Sequence, residues 1–151
     1  FGYRPAVNGV VQSPTLQSSG GQGCNRWGWY TTPTLARLQS GITGQILTGA
    51  GNNNLNAATN VGTFTAKALG TGVTVTYNLT GPYRLSEVHA DQRCLPITTC
   101  APGQYTFGAS GLANVQTYSN TNALPFPTCS GGARPYLIVH AVVRELKNVP
   151  C

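Results

Sequence analysis

"LSEVHADQRC", residues 85–94, places Glu87, His89 and Asp91 at every second position. The whole chain has three acidic residues and two histidines, so this stretch holds most of its titratable chemistry. Successive side chains of a strand alternate between faces, so on a strand these three would point the same way, with Leu85 beside them and Ser86, Val88 and Ala90 opposite. The second histidine lies in "YLIVHAVVRE", where His140, Val142 and Arg144 would share a face. Were the two strands neighbours, Glu87 and His89 would meet His140 and Arg144, a set able to do general acid–base chemistry on a phosphate ester, as small secreted ribonucleases do. Two histidines with a carboxylate or two can also bind zinc when their geometry is tetrahedral. The third reading is structural. A buried acid is costly unless paired and hydrogen-bonded, and nine Lys and Arg supply each acid with a partner. We read the group as a polar knot, with Glu87 expected to pair with an arginine or with a histidine across the sheet. No serine or cysteine sits in a nucleophile motif such as GxSxG, so no catalytic residue, metal or cofactor is assigned.

The elements that must position these residues read as strands. In "VTVTYNL" Val73, Val75, Tyr77 and Leu79 share one face and Thr74, Thr76 and Asn78 the other, the pattern of a strand half buried and half wet. Similar runs at 45–50, 62–68, 84–90, 104–107, 113–118 and 134–146 end in Gly, Pro or Asn. Together they predict an all-β, antiparallel β-sandwich of about seven or eight strands, stapled by disulfides. "TTPTLARLQSG" predicts one short helix, with Thr32 as cap, Pro33 at the first helical position and Gly41 as stop. "GNNNLNAATN" lacks a carboxylate, which makes it a poor calcium loop and leaves a turn.

Charged residues are 8% of the chain, against about 25% in a typical soluble domain, so Thr, Ser, Asn, Gln and Gly must cover the surface. The nine cationic residues are dispersed, which argues against a nucleic-acid partner despite a net charge of +6. No apolar run reaches the roughly 18 residues of a membrane span. Cys24, Cys94, Cys100, Cys129 and Cys151 form no CxxC pair and are expected to make two disulfides with one cysteine over, their pairing left open. Cys94 and Cys100 are near enough for a local loop, and Cys151 would staple the C-terminus or link to another molecule. A sequon at Asn78-Leu79-Thr80 adds a glycosylation site on the wet face of its strand. Secretion, with the leader already removed from the chain, is the expected setting.

Residues 1–23 are read as an N-terminal arm before a β-domain at 24–151, because "SSGGQG" resembles a flexible linker. Phe1, Tyr3, Val7, Val10 and Val11 would let the arm pair with a neighbouring molecule, or form an ordinary first strand at home. "RWGWY" offers Trp27, Trp29 and Tyr30, flat aromatics able to stack on sugars if exposed or to fill the core if buried.

"CNRWGWY", "GAGNNN", "NVGTFT", "LSEVHADQRC", "CAPGQYTF" and "YLIVHAVV", in this order, resemble a group of secreted fungal proteins with looser bacterial relatives. The resemblance covers residues 24–143. It implies an extracellular β-rich domain, at times repeated in larger surface proteins, with no catalytic residues to carry over. The expected function is therefore a non-enzymatic secreted structural or adhesive domain that self-associates through its arm. A module for glycans or cell-wall polysaccharide is the alternative, and a small secreted hydrolase stands behind both.

Overall fold

The alternation of β4 (Gly72–Leu79) sets the architecture. Val73, Val75, Tyr77 and Leu79 are buried, and Asn78 of the sequon is exposed. The computed structural model describes residues 1–6, 12–19, 24, 26–70, 72–120 and 123–147. In them β4 belongs to a sheet with β1 (Gly2–Tyr3), β2 (Ile42–Thr48), β3 (Thr59–Leu69), β7 (Thr117–Ser119) and β8 (Leu124–Pro125). The order is β1-β2-β3-β4-β7, with β8 also on β4. The second sheet is β6-β5-β9, made of β6 (Phe107–Ala109), β5 (Tyr83–Cys94) and β9 (Pro135–Glu145). Every pairing is antiparallel, giving the all-β sandwich expected from the sequence.

The main core lies between the sheets, where Phe64, Ala66, Val73, Val75 and Tyr77 meet Leu85, Val88, Ala90, Leu137 and Val139. The phenol of Tyr77 would be costly there without a partner. It donates to the backbone oxygen of His89 at 2.8 Å and so ties one sheet to the other. Where β3 runs against β4, a Cβ at Gly62 would stand 2.1 Å from the carbonyl oxygen of Asn78, so the two backbones approach this closely only around glycine. On the outer edge of β4, Val75 donates its N–H to Asn120 Oδ1 at 2.7 Å, and Asn120 Nδ2 donates to the oxygen of Val73 at 3.3 Å. This side-chain amide continues the ladder between β7 and β8.

Several sequence expectations shift. The helix α1 (Leu35–Ser40) is capped by Thr34, whose Oγ1 accepts the N–H of Arg37 at 3.2 Å. Thr32 and Pro33 thus precede the cap, because the helix begins at Leu35 and the residue before it, Thr34, is extended with its hydroxyl on the third helical N–H. The run at 104–107 divides into a short 3-10 turn over Pro102–Gln104 and β6, while 113–118 reduces to β7 and a single bridge from Val115 to Leu85.

A second core, outside the first, gathers Phe1, Tyr3, Leu16, Trp29, Tyr136 and Ile138 with the loop residue Ile97. Disulfide Cys24–Cys100 belongs to this core and a second disulfide joins Cys94 to Cys129, so the local Cys94–Cys100 loop is not formed. Cys151 lies outside the described residues. So do Val7, Val10 and Val11 of the segment read as an arm; the rest of that segment is described at 1–6 and 12–19, and it lies on the domain. Phe1 exchanges two hydrogen bonds with Leu47, each 3.0 Å, β1 pairs with β2, and Leu16 is fully buried.

Candidate functional site

His89 and His140 are register partners on β5 and β9. What turns His89 outward is a bulge: register shifts between Leu85 and Glu87, so Ser86 is an extra residue on β5. The bulge separates Leu85, which enters the main core, from Glu87, His89 and Asp91, which lie on the opposite face of the strand; simple alternation puts all four together. The two Nδ1 atoms are 3.2 Å apart, with one carrying the shared proton and the other its lone pair. Gly108 of β6 leaves room for this arrangement, because a Cβ there would meet His89 Cδ2 at 2.9 Å. The Phe1 ring covers His140 at 4.7 Å. Burial pushes the His140 imidazole down to about 3, helped by the positive charges of the Phe1 amino group, His89 and Arg26. Burial also lowers His89, against the opposing pull of Glu87. Both rings are therefore neutral at neutral pH.

The predicted cluster is only partly assembled. Glu87 lies 3.9 Å from His89 Nε2 with its side chain 42% exposed, so its neighbour is on its own strand and the expected cross-strand partner is replaced by solvent. Arg144 stands opposite Arg84, four positions along β9 from His140, and takes no part.

Asp91 is the knot. It is fully buried, and its Oδ1 accepts the Thr106 N–H at 3.1 Å, the Thr106 hydroxyl at 2.7 Å and Arg93 Nε at 3.0 Å. Its Oδ2 accepts the Tyr136 hydroxyl at 2.5 Å, a length expected of a charge-assisted bond. Burial and this bond raise the Tyr136 phenol above its usual range. Sequence reasoning missed Thr106 and Tyr136 because they come from distant elements. Arg93 was visible in principle, two residues from Asp91 on the same face.

The aromatic stretch divides in two. Trp29 and Tyr30 are buried in the second core. Trp27 is half-buried, edge-on to Phe1 at 5.3 Å and to Trp29 at 5.8 Å, and it lines a cavity of about 540 Å³ with Phe1, Gln17, Arg26, Asn52 and His140. The Asn-rich turn, left without a role by the sequence, forms a wall of this cavity. Asn53 Oδ1 accepts the Gly28 N–H at 2.8 Å and its amide donates to Gln17 at 3.3 Å, which fixes the turn beneath the tryptophan loop. Asn52 and Asn53 take left-handed conformations, φ 59° and 57°, which asparagine tolerates better than most residues.

Among the described residues no group of three or more His, Cys, Asp or Glu converges as a metal site, and no helix is long and apolar enough to cross a membrane. No protein-family model, curated protein or solved structure matches the chain.

Proposed function

We propose that the chain is a non-catalytic extracellular domain that acts by contact and binds carbohydrate in the cleft beside Trp27. The half-buried Trp27 carries this reading: it gives the cavity an aromatic wall, and Gln17, Asn52 and Arg26 supply hydrogen-bonding groups around it. A few polar groups set in an apolar, aromatic hollow are the usual make-up of a small-ligand site. Sugar rings suit it, since their C–H faces stack on aromatics while their hydroxyls bond to amides. Two disulfides and an exposed sequon asparagine support an extracellular setting.

The polar groups favour contact over catalysis. Asp91 is buried with both oxygens engaged, and a histidine held near 3 is no general acid at neutral pH. Self-association through residues 1–23 draws less support, because Gly2 and Tyr3 already pair with β2 of their own chain.

The test is titration of tryptophan fluorescence with oligosaccharides of β-linked glucose, N-acetylglucosamine and mannose. At least one should shift the emission, and Trp27→Ala should weaken its binding by about tenfold or more. Absence of any response, or equal binding by the variant, would refute the assignment.

A further inference from the structure

A second cavity, of about 490 Å³, shares no lining residue with the cleft. Arg4, Arg37 and Arg134 all line it, with Ser13, Thr31 and Thr32 between them. The chain's three acids are Glu87, Asp91 and Glu145, and none lines it. Three guanidinium groups around one hollow repel each other, and that cost is relieved when an anion enters. Arg4 feels it directly: burial, then the charge of Arg37, lowers its guanidinium below the usual range.

The side chains are held for such a ligand while most of their donors stay free. Arg4 Nε donates to the Thr43 oxygen at 3.1 Å, and the Arg4 backbone is clamped to Ser13 by two bonds of 2.9 and 3.0 Å. Arg134 donates to the Thr32 oxygen at 3.3 Å. Each guanidinium carries five N–H donors, so these contacts orient the groups without exhausting them. Thr31 is 9% exposed, and its buried hydroxyl has no partner.

We propose that this cavity binds a multiply charged oxyanion, a phosphate or sulfate group, through Arg4, Arg37 and Arg134, with the Thr31 hydroxyl beside it. A tetrahedral oxyanion presents enough acceptor oxygens for several guanidinium forks at once, where one carboxylate satisfies a single fork. The group comes either as the free anion or as an ester on a larger polymer.

The test is calorimetry on the intact protein at low ionic strength with inorganic phosphate, inorganic sulfate, acetate and a sulfated oligosaccharide. Phosphate or sulfate should bind in the millimolar range or tighter, and added salt should weaken it. Arg37 and Arg134 are exposed, so Arg37→Gln and Arg134→Gln should keep the fold by circular dichroism while each weakens binding about tenfold. Much tighter binding of the sulfated oligosaccharide would identify an ester as the source, and equal binding the free anion. Trp27→Ala should leave all of this unchanged, which separates the site from the carbohydrate cleft. Undiminished binding by the arginine variants, acetate binding as well as phosphate, or no binding in the millimolar range would overturn the proposal.

Discussion

His89 and His140 face each other across a single register position, their Nδ1 atoms 3.2 Å apart, in a pair that has room for one proton between the rings. In the unfolded chain both histidines take up protons near pH 6.5. Folded His140 resists protonation down to about 3, with Arg26, His89 and the Phe1 amino group around it. Between those values the unfolded state binds more protons, so the pair's effect on stability is nil above about pH 6.5 and increasingly unfavourable as pH falls. The melting temperature should drop on acidification through this window, and His140→Gln should flatten the drop. Identical pH profiles for wild type and variant would show that the pair does not couple to folding.

Asp91 and Glu87 should respond very unequally to neutralisation, although the sequence presents them as equals. Asp91→Asn puts an amide donor where Oδ2 accepts the Tyr136 hydroxyl and leaves Thr106 and Arg93 facing a neutral oxygen, so the loss of the buried charge should cost about 3–5 kcal/mol. Glu87→Gln changes a half-exposed group and should stay within about 0.5 kcal/mol. Urea denaturation of both variants measures the contrast, and equal losses would contradict it.

Backbone contact makes Gly62 the least replaceable residue of the β3–β4 pair. Gly62→Ala sets a methyl group 2.1 Å from the Asn78 oxygen and should destabilise by about 2 kcal/mol or more as the strands part. A variant melting within a degree of wild type would mean that the strands separate there without cost.

The two disulfides should differ in what their loss does to the cleft. Cys24–Cys100 spans 76 residues and Cys94–Cys129 spans 35, which in the chain-entropy account correspond to roughly 4–5 and roughly 4 kcal/mol. Only the first anchors the start of the loop that carries Trp27. Replacing Cys24 and Cys100 by serine should lower both stability and carbohydrate binding, whereas replacing Cys94 and Cys129 should lower stability and largely spare binding. Equal effects on binding would remove the special role of the Cys24 link.

The strands were legible because alternation is a local signal: β4 could be read directly from Val73, Val75, Tyr77 and Leu79. Asp91 as a paired acid was legible from composition, since bases outnumber acids three to one. The cleft was not legible, because Phe1, Asn52 and His140 meet only through long-range pairing. Nor was the Ser86 bulge, which rotates the strand without leaving any mark that a two-residue period would detect. The arginine cavity escaped for a related reason: Arg4, Arg37 and Arg134 are dispersed along the chain, and dispersion in sequence was taken for dispersion in space.

The two disulfides also overlap in sequence, one joining 24 to 100 and the other 94 to 129. A protease that cuts any one peptide bond from Cys24 to Cys129 therefore severs the backbone without releasing a fragment, because one bridge or the other still spans the cut. A nicked molecule would run as a single species until it was reduced, and the walls of its two cavities would stay covalently tethered.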